Sequence, residues 1–255
     1  MHMRLVRIKT KRNVLSALVA FYETEIIPTL EQVQGCRYAG LMHSTHYDDE
    51  CLSLTLWNAQ EDAEAYERSG VFTSLLHASR PYLLESSEYQ IRLSKDLTLE
   101  YVAVPEVPIV SAMPVAAESA PGVSLKQTGA ARWLRTVALK IRPGSMDEFR
   151  EFYVEQVIPA LRGVKGCRHV YLTENTEKQN EVISITSWES EYDARRYEQS
   201  GLFQTILKSQ NHLLSDLYQL KHEVGRDNVD SVSTSEDLAV EHYTVLTGRG
   251  LNQTS

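Results

Sequence analysis

The chain has 255 residues and a mass of 28.9 kDa, which fits two ordinary domains better than one. Hydrophobic residues make up 42% and charged residues 24%, so we expect folded cores rather than a disordered or fibrous chain. The net charge of −8 provides no basic surface for phosphate groups. Nucleic acids and anionic membranes are therefore not expected as partners.

The sequence also bears on the compartment. No apolar run approaches the roughly 20 residues that span a bilayer, and the N-terminal residues lack the apolar core of a signal peptide. We expect a cytoplasmic protein. The three cysteines form no CxxC pair, so we expect them to be reduced and to pack as small hydrophobic side chains. They are Cys36, Cys51 and Cys167.

The chain contains one sequence pattern twice. Residues 4–83 and 135–214 align without a gap at an offset of 131, and 27 of the 80 aligned positions are identical. A second alignment, at an offset of 141, pairs Asp96–Tyr101 with Asp237–His242. A duplication of this kind predicts two domains of the same fold.

The segment between the copies has a different composition. Residues 105–131 hold four of the eight prolines and no aromatic residue, which is typical of a semi-extended linker. We therefore predict a first domain over residues 1–104, a linker over 105–131 and a second domain over 132–250. The polar stretch His222–Glu236 is predicted to be a mobile loop.

Each copy begins with a strand and a helix. Val6 and Ile8 alternate with polar residues, which predicts a short strand. Apolar residues then recur at three- and four-residue steps from Leu15 onward, which predicts an amphipathic helix. Pro28 should kink this helix because proline lacks the hydrogen-bond donor, and Gly35 should end it.

Two strands, a second helix and a last strand follow. In the first copy the strands are predicted at Cys36–His43, Cys51–Trp57 and Leu97–Val104, and the second helix should begin at Asn58 and break at Gly70. The second copy repeats these elements, with strands predicted at Cys167–Thr173, Val182–Trp188 and Leu238–Leu246.

The order β-α-β-β-α-β predicts a ferredoxin-like domain of class α+β, in which both helices cover one face of an antiparallel sheet. The other face of each sheet is then bare, and the tethered copy supplies a partner for it. We predict that the two sheets pack face to face as one barrel within the chain.

Several of the duplicated residues carry a family resemblance. The pattern that runs from Trp57 through Tyr66-Glu67 and Ser69-Gly70 to Phe72, with its second copy, resembles the antibiotic biosynthesis monooxygenase domain. The resemblance covers about 80 residues of each copy and implies the dimeric α+β barrel fold. Members of this family are cofactor-independent oxygenases of phenols and quinols, haem-degrading enzymes, or proteins with no established activity. The resemblance therefore implies one of these three classes.

The resemblance argues against haem degradation. That branch uses an asparagine, a tryptophan and an axial histidine, but neither copy has them at the matching positions. Valine, tyrosine and leucine stand there instead, and leucine, at the position of the axial histidine, cannot ligate iron as an imidazole does. We therefore predict no haem or other cofactor. The matching residues are Val6, Tyr66 and Leu76 in the first copy and Val137, Tyr197 and Leu207 in the second.

The oxygenase branch requires a site that orients an electron-rich ring, stabilises its anion and excludes water. Aromatic side chains at the strand end and on the following helix could line such a pocket, although the same side chains could instead be core. A non-catalytic barrel that binds a small hydrophobic ligand, or acts as an interaction module, is the alternative function. The pocket candidates are Trp57, Tyr66, Phe72, Trp188, Tyr197 and Phe203.

The remaining polar signals are weaker. Arg37 and Arg168 could pair with a substrate anion, but a surface ion pair with an acid is the favoured interpretation. The run from His43 to Glu50 resembles a metal cluster, but it lies on a predicted turn, so we predict no metal. Association of intact chains into a homo-oligomer is possible.

Overall fold

The computed structural model describes residues 1–93, 99–119, 132–176, 178–215 and 238–251. Its centre is a closed barrel of eight antiparallel strands, with helices packed on the outside. The predicted fold class, two ferredoxin-like units joined as one intrachain α+β barrel, is confirmed. Within the described ranges, no helix has both the length and the apolar character that a membrane crossing requires.

The first half of the chain contains six strands and four α-helices, with a π-helical stretch between α1 and α2 and a 3-10 turn after α4. The elements are β1 (His2–Lys9), α1 (Leu15–Phe21), the π-helical stretch (Tyr22–Ile26), α2 (Ile27–Glu31), β2 (Cys36–Ser44), β3 (Glu50–Trp57), α3 (Gln60–Arg68), α4 (Val71–Ser79), the 3-10 turn (Arg80–Tyr82), β4 (Glu85–Leu93), β5 (Leu99–Pro105) and β6 (Ile109–Glu118).

The second half repeats this succession, except that a single strand follows its 3-10 turn in the described residues. The elements are β7 (Trp133–Lys140), α5 (Met146–Phe152), a π-helical stretch (Tyr153–Val157), α6 (Ile158–Arg162), β8 (Cys167–Glu174), β9 (Glu181–Trp188), α7 (Glu191–Gln199), α8 (Leu202–Ser209), a 3-10 turn (Asn211–Leu213) and β10 (Leu238–Gly250). The predicted loop at 222–236 lies outside the described residues.

The barrel order is β1-β3-β2-β10-β7-β9-β8-β6. Each half therefore has the ferredoxin-like order, β6-β1-β3-β2 and β10-β7-β9-β8. The last strand of each half also pairs with the other half, because β6 lies against β8 and β10 lies against β2. These two seams close the barrel and leave it without a free sheet edge.

The structure corrects the predicted end of the first domain. The strand predicted at Leu97–Val104 corresponds to β5 (Leu99–Pro105), which pairs with β4 in a separate two-stranded sheet. The barrel strand is β6, which lies inside the predicted linker 105–131. Met113 pairs with Met3 of β1, and Tyr243 pairs with Leu134, which is the counterpart of Met3 in β7. The last strands of the two halves therefore correspond at an offset of 130 and not 141. Backbone pairing to β1 and β8 places this proline-containing segment in the sheet.

The barrel interior is an apolar core built from both halves. The side chains of Leu52, Leu54 and Leu56 point into it, as their alternation predicts. They meet residues of the second half such as Ile185 and Tyr171. Burying both sheet faces against each other removes apolar surface that a single unit would leave in water.

The helices bury one side against the outer face of the sheet. The kink predicted at Pro28 appears as the π-helical stretch just before it, and Pro159 has the same arrangement. A π-turn shifts the hydrogen bonds by one residue, so the missing proline donor is accommodated. The helix start predicted at Asn58 is wrong, because Ala59 is the residue that precedes α3. Ser190, the counterpart of Ala59 in the second half, caps α7 with its side chain.

Gly35 and Gly166 follow these helices with φ of 81° and 86°. A Cβ atom at Gly35 would overlap Asp62 in the first turn of α3, and one at Gly166 would overlap Asp193 in the first turn of α7. Glycine is therefore required here twice over, by the left-handed backbone and by the close approach.

Candidate functional site

The first half contains a cavity between its helices and the outer face of its sheet. Strands β1 and β3 form the floor, and α1, the π-helical stretch, α3 and α4 form the walls. The cavity has a volume of about 60 Å³ and opens to the surface. Its walls are mostly aliphatic and aromatic, and its few polar groups come from Arg4, Tyr22, Ser53, Thr55, Tyr66 and Ser79.

Arg4 is the one cationic side chain among the described residues of this wall, and it is 2% exposed. Its Nε donates to Oε1 of Glu67 at 2.8 Å, and its guanidinium stacks on Phe72 with Cζ 3.8 Å from the ring centroid. Its second terminal nitrogen, Nη2, has no hydrogen-bond partner. A buried guanidinium nitrogen without a partner favours an anionic oxygen as its ligand.

Hydroxyl groups on the sheet side of the cavity are held in fixed positions. Tyr22 donates to the carbonyl of Gly40 at 3.1 Å and shares a hydrogen bond of 2.9 Å with Ser53. Burial raises the pKa of Tyr22 and of Tyr66, so both phenols stay protonated at neutral pH. The wall therefore offers neutral hydroxyls and one fixed positive charge.

Two of the six pocket candidates lie on the cavity wall, Tyr66 and Phe72. Trp57 does not. It is 0% exposed, its ring stacks on Tyr66 at 5.0 Å, and its Nε1 donates to Oγ1 of Thr55 at 2.9 Å. Trp57 thus packs behind the wall and holds the Thr55 hydroxyl in place.

The three candidates of the second half are core residues. Trp188, Tyr197 and Phe203 are all at most 5% exposed, and all belong to the hydrophobic cluster of that half. Trp188 repeats the bond of Trp57, with Nε1 donating to Thr186 at 2.9 Å. Packing between strand and helix accounts for these three aromatic residues.

The arginine candidates lie outside the cavity wall. Arg168 forms an ion pair with Glu189. Arg37 donates to the sulfur of Met1 at 3.8 Å. Neither is among the residues that line the cavity.

The hairpin of His43 and His46 is occupied by local contacts. The ring of His43 hydrogen-bonds the carbonyl of Asp48 at 3.0 Å, and the ring of His46 stacks on His242 at 6.2 Å. Among the described residues, no three side chains of the metal-binding types converge.

A larger cavity, of about 140 Å³, lies at one end of the barrel beside Ile8 and Leu83. Its charged groups already pair with acids: Lys9 with Glu106 at 3.2 Å, and Arg7 with Glu241 at 2.8 Å. We therefore place the candidate site in the smaller cavity, where a buried donor has no partner.

Sequence reasoning missed Arg4. A signal was present, because Arg4 and Glu67 recur as Arg135 and Glu198 at the offset of 131. The second pair forms the same bond, at 2.6 Å. A charged residue that alternates with apolar ones suggests a solvent-facing position, whereas here the helices cover it.

The comparisons with known proteins agree with this architecture. The family model of the antibiotic biosynthesis monooxygenase domain matches residues 134–209. No curated protein sequence matches the chain. A protein of Fusobacterium nucleatum provisionally named a monooxygenase has 8% identity and a TM-score of 0.66, covering 98% of this chain and 94% of its own.

Two further structures cover both chains almost fully. A provisionally named monooxygenase of Lactobacillus acidophilus has 7% identity and a TM-score of 0.62, covering 98% of this chain and 95% of its own. An anthrone oxidase-like protein has 13% identity and a TM-score of 0.52, covering 100% and 94%. At these identities the likeness shows the fold. The chain thus carries an antibiotic biosynthesis monooxygenase domain at residues 134–209, within a barrel whose first half has the same arrangement of strands and helices.

Proposed function

We propose that the protein is a cofactor-independent oxygenase and that the cavity of its first half binds a small phenol or quinol. The observation that carries this proposal is Arg4, a buried wall residue whose Nη2 lacks a hydrogen-bond partner, in a cavity whose walls are mostly aliphatic and aromatic. An aromatic ring fits such walls, and an ionised ring oxygen would supply the missing acceptor.

The reaction needs no reductant. The bound phenolate transfers one electron to O₂, and the resulting phenoxyl radical and superoxide combine at a ring carbon. The peroxide takes up a proton, its O–O bond breaks, and the ring carbon loses its hydrogen, which releases water. For the simplest case, phenol and O₂ give benzoquinone and water, so the four electrons lost by the ring reduce O₂ completely. Arg4 would stabilise the phenolate from which the first electron leaves.

The cavity wall contains no carboxylate and no imidazole among its described residues. The site therefore selects substrates that ionise readily and bind as anions. The two wall tyrosines remain neutral donors, because burial raises their pKa. Activity should rise with pH through the ionisation of the substrate.

The open cavity is smaller than the roughly 150 Å³ in which benzene binds in an engineered site. A ring must therefore push aside side chains at the open end. Ile26, Phe72 and Leu76 are partly exposed there, so their movement does not disturb the barrel. One-ring substrates should be favoured over fused rings.

Haem does not fit these residues. The position of the axial histidine is Leu76, which cannot ligate iron, and His77, next in sequence, is exposed; Val6 and Tyr66 replace the asparagine and the tryptophan. The volume is also far below that of a porphyrin. We derive no step through haem.

Oxygen uptake tests the proposal. The protein, treated with a chelator, is supplied with 1,4-hydroquinone, 1,4-naphthohydroquinone and anthrone, and uptake is compared with the spontaneous rate. We expect saturable uptake with quinone formation, greatest for the one-ring substrate. Binding of these compounds without turnover would instead assign the alternative function, a ligand-binding barrel. If the protein neither binds nor oxidises these compounds, the proposal is refuted.

A further inference from the structure

We infer that the second half is a closed copy of the same site, and that Phe149 and Gln210 are the residues that fill it. The chain would then have one ligand site, with a latent second one. The inference is about the free volume beside the buried arginine in each half. It rests on the proposed function only for the chemical class of the ligand.

The polar side chains of the site are retained in the second half. Arg135 is 3% exposed, stacks on Phe203 with Cζ 4.2 Å from the ring centroid, and its Nη2 also lacks a partner. Tyr153 hydrogen-bonds Ser184 at 2.7 Å, as Tyr22 does Ser53 in the first half. An anion-binding arrangement is thus present in both halves.

The small residues that line the first cavity are not retained in the second half. Leu18 and Ser79 line the first cavity, and at the offset of 131 they correspond to the larger Phe149 and Gln210. Phe149 is 0% exposed and its ring centroid lies 6.1 Å from that of Tyr153. Gln210 is 2% exposed, and its amide oxygen is buried without a partner. A buried amide oxygen without a hydrogen-bond partner is unfavourable, so other contacts of this buried side chain must offset the cost.

The burial of the surrounding wall changes in the same sense. Six wall residues of the first half are partly exposed, and five of their counterparts are buried; the exception is Leu75, whose counterpart Ile206 is also partly exposed. The five residues are Ile8, Ile26, Ser53, Phe72 and Leu76, and their buried counterparts are Leu139, Val157, Ser184, Phe203 and Leu207. The second half is thus more closed at five of the six positions that are open in the first.

Xenon detects such cavities without any assumption about the natural ligand, because it enters dry apolar space. Crystals of three proteins are pressurised with xenon and its anomalous signal is located: the wild type, the variant F149L/Q210S, and the opposite variant L18F/S79Q. We expect one xenon in the first half of the wild type, one in each half of F149L/Q210S, and none in either half of L18F/S79Q.

Xenon in both halves of the wild type, or only in its second half, would overturn the inference. So would an F149L/Q210S crystal whose second half stays empty. If F149L/Q210S does not fold, the wild type and L18F/S79Q still decide whether these two positions control access. Oxygen uptake is measured separately, so a protein that binds xenon as expected but oxidises no quinol refutes the proposed function alone.

Discussion

The pair Arg4 and Arg135 offers a matched test of the site. Both are buried, both bind a glutamate through Nε, and both stack on a phenylalanine. Replacing either with methionine removes the charge and keeps most of the side-chain volume. We expect each variant to lose a similar free energy of unfolding, about 1–2 kcal/mol, from the lost ion pair and cation–π contact.

The two variants should differ in activity. A hydrogen bond to a charged group contributes about 1.5–3 kcal/mol, so R4M should lower kcat/KM for hydroquinone by about 10- to 150-fold. R135M should leave kcat/KM near the wild-type value, because its half is closed. Oxygen uptake over a range of hydroquinone concentrations gives these values, with urea unfolding as the control for stability. Wild-type kcat/KM for R4M, or equal losses in the two variants, would refute the assignment of the anion site to Arg4.

Three further predictions concern stability, each measured by urea unfolding. W57A should lower the free energy of unfolding by about 3–5 kcal/mol, because Trp57 is fully buried; an unchanged stability would contradict its place in the core. G35A should cost roughly 2 kcal/mol or more and G70A about 1 kcal/mol, because both have positive φ but only the Cβ at Gly35 would overlap another residue; equal losses would contradict this. Burial opposes the ionisation of Glu198, but hydrogen bonds and charge from His242 and Arg135 outweigh it and lower its pKa to about 2. The carboxylate therefore stabilises the fold above its unfolded pKa of 4.5, by at most about 3 kcal/mol, and this is lost as the pH falls toward 2; E198Q should abolish that part of the pH dependence, and an unaltered profile would contradict it.

The regular pattern of the repeats made most of the fold predictable. The alternation of Leu52, Leu54 and Leu56 indicates a strand with one face in a core, and the structure places that face inside the barrel. Strand β6 could not be identified in this way. Its composition is that of a linker, and its place depends on the partners that β1 and β8 provide through the backbone.

The site was less predictable because it depends on volume and on which side of a strand a helix covers. Leu18 and Phe149 are equally apolar and stand at the same position of the same helix, so periodicity does not distinguish an open cavity from a filled one. Trp57 is an aromatic residue of the kind that lines pockets, yet it packs behind the wall, against Tyr66. Only the packed structure shows that Arg4 is buried with a free donor.

The most direct test of the account is the position of a bound phenol. Crystals of the wild-type protein are soaked with 4-bromophenol, and the anomalous signal of bromine locates the ring. The account predicts one bromine per chain, in the first cavity, with the phenolate oxygen within hydrogen-bond distance of Nη2 of Arg4. Bromine in the second half or in the barrel interior, or no bound phenol at all, would contradict it.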